Sequence, residues 1–167
     1  MMRRHALSAE DHLGVDRLVA AYADTVTRRA WGELDELFTP DAVVHIDTVT
    51  RPAFEVVGPV ELGEFIGGAV ERFDFFEFVP LNLVTWSDPD GRADRAGSRL
   101  HMCEIRRSAS DGEWTTAYGR YDDVVEQSGG LWRFAARRYR SLGRTGPDGG
   151  VFPVDPGHDA VPPSPAD

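Results

Sequence analysis

A glycine-rich turn in the second half of the chain constrains the fold most strongly. Ser128-Gly129-Gly130 separates two long β-favouring runs that together extend from Trp114 to Leu142. Glycine reaches positive φ without steric cost, so this pattern predicts a β-hairpin. A lone hairpin is not stable in water, so it must pair with further strands and bury one face against helices. The function then depends on what the inner face of that sheet encloses.

Length and composition are typical of one globular domain. The chain has 167 residues, of which 41% are hydrophobic and 28% are charged. No apolar run approaches the ~20 residues that span a bilayer, and the N-terminus lacks the apolar segment of a secretory signal. We therefore expect a cytoplasmic protein without membrane contact. Cys103 is the only cysteine, which excludes an internal disulfide and a cysteine-rich zinc site.

The basic residues exclude several function classes. All eighteen are arginine, so a lysine Schiff base and a phosphate-binding loop with its lysine are excluded. The net charge of −10 argues against a nucleic-acid partner, which requires a cationic face. The sequence also contains no Gly-x-Ser-x-Gly, zinc-protease or dinucleotide motif, and we expect no cofactor.

Three helices are predicted in the first half of the chain. Ser8 and Asp11 form a capping box, and apolar residues recur at helical spacing from there to about Arg29. A second, short helix is predicted over residues 31–38, ended by the Thr39-Pro40-Asp41 segment. Gly58-Pro59 begins the third helix, because proline suits the first helical turn.

The remaining apolar segments predict strands. In addition to the two hairpin strands, they lie at residues 42–48, 53–57, 75–87 and 95–108. Pro80 predicts a bulge or a kink in the third of these, since proline cannot donate to a ladder. This order predicts an α+β fold, a cone-shaped barrel in which a curved antiparallel sheet wraps around the N-terminal helices. Such a sheet leaves an apolar cavity between its inner face and the helices.

The end of the chain has a different composition. Residues 1–143 form the predicted domain, and residues 144–167 form a tail rich in proline and glycine. This composition predicts no regular element. The tail is expected to be either disordered or a flap anchored by Val151 and Phe152.

Several short motifs within residues 8–143 form a recognisable set. They are Tyr22-Ala-Asp24, Trp31-x-x-Leu34-x-x-Leu37-Phe38-Thr-Pro-Asp41-Ala42, Val60-Glu-Leu-x-x-Phe65, Asn82 and Leu131-Trp132-Arg133-Phe134. Together they resemble the SnoaL-like branch of the nuclear-transport-factor-2-like (NTF2-like) superfamily. The resemblance implies the cone fold and a homodimer formed through the outer face of the sheet.

The resemblance also implies a cofactor-independent enzyme of the cyclase, dehydratase or isomerase kind. Its expected substrate is a small hydrophobic molecule, aromatic or polyketide-like, bound in the cone and processed by general acid/base catalysis. The alternative is a non-catalytic ligand-binding protein or a dioxygenase-β-like subunit. Dehydratase members carry an Asp-His-His set, whose first two positions fall on Thr27 and on Glu77 or Phe78 here. A dehydratase that uses this set is therefore disfavoured.

Three residues are the candidate catalytic groups. The remaining histidine of the family set corresponds to His101, a possible general acid or base, with a structural histidine as the equal alternative. Tyr22 corresponds to a pocket position and can either polarise a carbonyl or simply pack in the core. Tyr121 alternates with the small residues Ala117 and Gly119, which leave room for a ligand beside it.

Further positions are expected to contact the substrate. They are Val26, Ile46, Phe65, Phe78, Asn82, Cys103 and Arg137. Arg137 would hold an anionic or enolate oxygen if its face of the last strand looks inward. Ile46 occupies the position where ketosteroid isomerases carry their base, which turns the neighbouring His45 and Asp47 away from the cavity. No third ligand accompanies these two, so we expect no metal site.

Overall fold

The part of the chain that the structure describes contains three α-helices and one seven-stranded sheet. The computed structural model describes residues 5–147 and 149–153. The helices are α1 (Ala9–Arg28), α2 (Leu34–Leu37) and α3 (Gly58–Val70). The strands are β1 (Phe38–Asp47), β2 (Phe54–Val57), β3 (Phe73–Ser87), β4 (Arg95–Ser108), β5 (Trp114–Ser128), β6 (Leu131–Arg144) and β7 (Gly150–Val151). No helix in the described ranges is both long and apolar enough to cross a membrane.

Helix α1 has the predicted boundaries. The Ser8 hydroxyl accepts a hydrogen bond from the Asp11 backbone N–H at 3.1 Å, which confirms the predicted N-cap. The helix ends at Arg29, whose φ of 60° is left-handed. The segment predicted as one helix over residues 31–38 is instead a short 3₁₀ turn, Trp31–Glu33, followed by α2, and Phe38 already belongs to β1.

The predicted hairpin forms the centre of the sheet. Gly129 and Gly130 both have positive φ, at 60° and 80°, and Ser128 pairs directly with Leu131. A two-residue turn with two positive φ angles matches the twist of antiparallel strands, which is why glycine is required there.

The strand order is β2-β1-β6-β5-β4-β3, with β7 added to β6. All neighbours are antiparallel except β1 and β6, which run parallel. The α+β cone fold is confirmed, and the sheet is mixed and unclosed rather than antiparallel throughout. The parallel pair arises because the whole of α3 and four strands lie between β1 and β6 in the chain, long enough to reverse direction.

The predicted bulge at Pro80 has a consequence for side-chain direction. Pro80 pairs with Met102 and Asn82 pairs with His101, which leaves Leu81 without a partner. Phe78 points into the core before the bulge, and Leu83 packs against the core after it. The inward positions of β3 therefore change from even to odd numbers at this point.

The start of the tail is ordered against the sheet. Gly150 and Val151 of β7 pair with Arg144 and Gly143, and the Phe152 N–H donates to the Leu142 carbonyl at 2.8 Å. The expectation that no regular element follows β6 is wrong for these residues, because the exposed backbone of β6 beyond the end of β1 offers a partner. Residues 154–167 of the predicted tail lie outside the described residues.

A buried ion pair lies at the centre of the core. Arg137 of β6 donates to both carboxylate oxygens of Asp123 of β5, at 2.7 and 2.9 Å. The two side chains are 1% and 0% exposed. Asp123 therefore compensates a charge that has no access to water.

Replacement of Asp123 by asparagine is expected to destabilise the protein by about 3–5 kcal/mol, because it leaves the Arg137 charge buried without a counterion. Urea unfolding monitored by circular dichroism measures the loss. Asp24→Asn is the matched control, since Asp24 pairs with Arg28 on the surface of α1. Equal unfolding midpoints for the two variants would contradict this prediction.

Candidate active site

A cavity of about 770 Å³ lies between the helices and the inner face of the sheet. Its walls on the helix side are apolar, with Val26 of α1 and Leu62, Phe65 and Ile66 of α3. The sheet contributes aromatic rings and several polar groups, and the segments next to its strands add Thr48, Thr50, Arg51 and Arg72. This volume is in the range of small-molecule sites.

The floor of the cavity rests on the buried Arg137. Its guanidinium carbon lies 4.3 Å from the ring centre of Tyr22, 4.2 Å from that of Tyr121 and 3.9 Å from that of Phe134. These are cation–π distances. Tyr22 and Tyr121 line the cavity on their other side. The Arg137–Asp123 pair thereby fixes both phenol rings from below.

The phenol groups of the floor stay protonated at neutral pH. Burial raises the pKa of Tyr22, and the positive charge of Arg137 and a hydrogen bond from Tyr121 offset part of that rise. Burial also raises the pKa of Tyr121, and the neighbouring Tyr22 adds to the rise. Since the Tyr121 O–H donates to Tyr22, the Tyr22 hydroxyl is the one left to donate a hydrogen bond to a ligand.

Glu104 is the one carboxylate among the described residues that line the cavity. It lies on β4, opposite Phe78 of β3 on one side and Ala117 of β5 on the other. Its side chain is 22% exposed and lies 3.6 Å from the Arg106 guanidinium. Burial raises the pKa of Glu104, and the positive charges of Arg106 and Arg144 offset part of the rise.

The end of β6 supplies a second polar group. The Tyr139 hydroxyl lies 3.1 Å from the Ser141 hydroxyl, and Arg144 donates to the Ser141 hydroxyl at 3.3 Å. Burial and the negative charge of Glu104 raise the pKa of Tyr139 to about 12. Gly119 of β5 makes this arrangement possible, because a Cβ at that position would overlap the Tyr139 ring.

Arginines and one aromatic ring surround the opening. Arg51 and Arg72 are exposed residues that also line the cavity. Arg144 lies over the ring of Phe152, 5.2 Å from its centre. The segment after β6 thus covers one side of the cavity.

Six of the ten residues that the sequence predicted for the site line this cavity. They are Tyr22, Val26, Ile46, Phe65, Phe78 and Tyr121. Arg137 faces the same way but lies below the floor, where Asp123 occupies it. It is therefore not available to hold a substrate oxygen.

The structure corrects the predicted positions of His101 and Cys103. Leu100 and Met102 of β4 are in the core and Glu104 lines the cavity, so the odd-numbered residues of β4 face outward. The pKa of His101 is lowered by burial and by the nearby charges of Arg120 and Arg99 on the outer face. His101 and Cys103 are therefore not placed to contact a ligand in the cavity.

Asn82 was also predicted to contact the substrate, and the structure places it outside the lining of the cavity. It pairs with His101 and is exposed on the outer face. The bulge at Leu81 is the physical reason, because it exchanges the inward and outward positions of β3.

The side chains of His45 and Asp47 point away from the cavity, as the sequence predicted. His45 and Asp47 alternate with Ile46 and point outward, where His45 lies 3.5 Å from Glu55 and Asp47 binds Arg140. Within the described part of the chain, no three His, Cys, Asp or Glu side chains are grouped as a metal site would require.

Sequence reasoning missed Glu104, Arg106, Tyr139 and Arg144 as site residues. The signal was available in the hairpin, where Ala117 and Tyr121 were assigned to the cavity side. Glu104 lies directly opposite Ala117, and Tyr139 lies directly opposite Tyr121. Counting the pairing across the turn from β4 to β5 would have placed Glu104, rather than His101, inside.

Comparisons with known proteins agree with this fold. The structure of a proposed scytalone dehydratase from Novosphingobium aromaticivorans is similar, with a TM-score of 0.70 and 21% identity over 87% of this chain and 89% of that one. The LinA-type3 hexachlorocyclohexane dehydrochlorinase from Novosphingobium barchaimii gives a TM-score of 0.67 and 17% identity over 87% and 95%. Aln2 from a Streptomyces species gives 0.69 and 16% over 81% and 94%.

The family is shown by a direct match to the sequence. No curated protein matches the chain. The family model of the SnoaL-like domain, however, matches residues 7–138, which is most of the chain. The protein therefore belongs to the SnoaL-like domain family of the NTF2-like superfamily.

Proposed function

We propose that the protein is a cofactor-independent enzyme of the cyclase, dehydratase or isomerase kind in which Glu104 moves a proton. The substrate is a small hydrophobic molecule, aromatic or polyketide-like, that fits between the helices and the sheet. The observation that carries the proposal is a carboxylate with a raised pKa in a cavity whose helix side is apolar. Membership of the SnoaL-like family supports this reaction class.

The environment of Glu104 suits acid/base chemistry. A carboxyl group whose pKa is raised by burial is a stronger base when ionised than an ordinary carboxylate. Glu104 would take a proton from a carbon beside a carbonyl group. It would then return that proton to another carbon in an isomerisation, or to a departing hydroxyl group in a dehydration.

The groups around Glu104 can stabilise the charge that develops on the carbonyl oxygen. The rings of Tyr22 and Tyr121 pack on the Arg137 guanidinium, and the Tyr22 hydroxyl, which accepts from Tyr121, stays protonated and can donate to the substrate. A donor that is fixed before the reaction needs no reorganisation when negative charge appears. Removal of a proton by Glu104 and donation by a tyrosine would therefore occur at opposite ends of the same substrate group.

The second candidate is a non-catalytic ligand-binding protein or a dioxygenase-β-like subunit. The observation that favours it is the short separation of 3.6 Å between Glu104 and Arg106, which lets the two charges neutralise each other. In addition, no histidine of the described residues lines the cavity. The homodimer that the resemblance implies remains a prediction, for which sedimentation equilibrium is the measurement.

Replacement of Glu104 by glutamine tests the enzyme proposal. Glutamine keeps the shape of the side chain but cannot accept the proton, so turnover is expected to fall by about 10²-fold or more. The assay is a screen of aromatic hydroxy ketones and polyketide-type substrates, followed by kcat for the one converted. In the wild-type protein, kcat should decrease as the pH falls through the raised pKa of Glu104.

The control is Glu77→Gln, since Glu77 is an exposed carboxylate on the outer side of β3. His101→Gln is informative in the same assay, because the position of His101 outside the cavity predicts unchanged turnover. Full activity of the Glu104 variant would exclude the proposed role and favour the ligand-binding alternative.

The raised pKa of Glu104 also predicts a pH dependence of stability. Its pKa in the folded protein lies above the usual value of 4.5, so the folded state binds this proton more tightly than the unfolded state. The resulting stability is fully present below pH 4.5 and is lost as the pH rises through the folded pKa. Glu104→Gln should therefore become progressively more stable than the wild type as the pH increases. Thermal unfolding midpoints of both proteins across the pH range measure this, and two parallel curves would contradict it.

A further inference from the structure

The cavity carries an excess of positive charge on an acidic protein. Four arginines line it, Arg51, Arg72, Arg106 and Arg144, against Glu104 as the one carboxylate among the described lining residues. Four positive charges and one negative charge give a formal charge of +3, whereas the whole chain carries −10. A ligand that enters this cavity therefore meets a local field opposite in sign to that of the protein as a whole.

Arg106 is a buried cation with incomplete hydrogen bonding. Its side chain is 13% exposed, and its Nε is buried without a hydrogen-bond partner in the described part of the protein. Glu104 is 3.6 Å away, which is longer than a charge-assisted hydrogen bond. Arg106 also lies over the ring of Phe73, 5.2 Å from its centre. Unsatisfied N–H groups of a buried guanidinium are energetically costly unless a ligand completes them.

Arg144 is held in position but has no carboxylate partner among the described residues. Its Nη2 donates to the Thr48 carbonyl at 2.7 Å and to the Ser141 hydroxyl at 3.3 Å. Its Nε is buried and makes no hydrogen bond within the described ranges. These contacts fix the guanidinium without neutralising its charge.

Other arginines of the protein are paired in a different way. Arg137, Arg140 and Arg28 each lie within 2.8 Å of a carboxylate oxygen. The chain has 28 acidic residues, so a shortage of carboxylates does not account for the two cavity arginines. Arg106 and Arg144 differ from these arginines in that neither lies that close to a carboxylate oxygen of the described residues, and both line the cavity.

The two arginines act on the same region of the cavity. Burial lowers the pKa of Arg106, and the charge of Arg144 adds to that effect, while both arginines offset part of the raised pKa of Glu104. Glu104 and Arg144 are both opposite Ala117, one on each side of β5. The small Ala117 side chain leaves open space between them, and the rings of Phe73, Phe76 and Phe78 provide an aromatic wall beside it.

We propose that Arg106 and Arg144 form a subsite for the carboxylate group of an aromatic ligand. A carboxylate has two oxygen atoms in the planar geometry that matches the N–H groups of a guanidinium, and the aromatic part occupies the apolar side of the cavity. The identification of this ligand as the substrate rests on the proposed function, whereas the carboxylate subsite itself does not. This identification narrows the substrate class from hydrophobic molecules to aromatic carboxylates.

Binding of naphthoate and of naphthamide to the full chain tests the proposal. The two probes share the aromatic ring system and differ in charge. Isothermal titration calorimetry should show that naphthoate binds about tenfold or more tightly, as expected for charge-assisted hydrogen bonds to a buried cation. In Arg106→Met and in Arg144→Met, naphthoate should lose this advantage while naphthamide binds as before. Arg107→Met is the matched control, because Arg107 lies on the outer side of β4 and pairs with Asp74.

Equal affinities of the two probes for the wild-type protein would overturn the proposal. So would the absence of naphthoate binding, or naphthoate binding that survives both cavity substitutions in proteins with an unchanged circular dichroism spectrum. Glu104→Gln separates this inference from the proposed function. Tight naphthoate binding together with full turnover in that variant would exclude Glu104 as the proton carrier and leave the carboxylate subsite intact.

Discussion

The buried pair of Arg137 and Asp123 determines where the rest of the site can lie. It joins β5 to β6, and the guanidinium also contacts Tyr22, so that it connects α1 to the centre of the sheet. A buried charge is tolerated only when its counterion and its hydrogen bonds are fixed, so the pair imposes one arrangement on the elements around it. The rings that cover it become a firm floor, and the cavity begins directly above them.

The register of the hairpin determines which side chains follow one another on the inner face of the sheet above this floor. Moving along the inner face from Asp123, the next inward positions of β5 are Tyr121, Gly119 and Ala117. Tyr121 is followed by two small residues, of which Gly119 makes room for the Tyr139 ring and Ala117 borders the open part of the cavity. The polar residues on the neighbouring strands, Glu104 and Arg144, stand at the same level as Ala117. The polar end of the cavity is thus placed by the small side chain at Ala117 on its central strand.

The sequence allowed most of the fold to be predicted, because its strongest signals are local. The Ser8 cap, the two turn glycines and Pro80 each act within a few residues, and each has the predicted effect. The site depends on pairing between strands, which local signals do not define. A displacement of one position moves a side chain to the opposite face of a sheet. His101 has an odd position on β4 and faces outward, whereas Glu104 has an even position and faces the cavity. The family resemblance aligned a histidine to β4, and no local feature of the sequence contradicted that alignment.

The buried arginines of the protein differ in how closely a carboxylate neutralises them. Arg137 donates to both oxygens of a carboxylate and contacts three aromatic rings, whereas Arg106 lies 3.6 Å from Glu104 and Arg144 has no carboxylate partner among the described residues. A buried or half-buried charge without a close counterion is costly, so such positions are expected at functional sites. Arg106 and Arg144 line the same cavity as the carboxyl group of Glu104, whose pKa is raised. The same fold therefore uses a close ion pair to support the floor of the cavity and leaves arginine charge without a close carboxylate at its polar end.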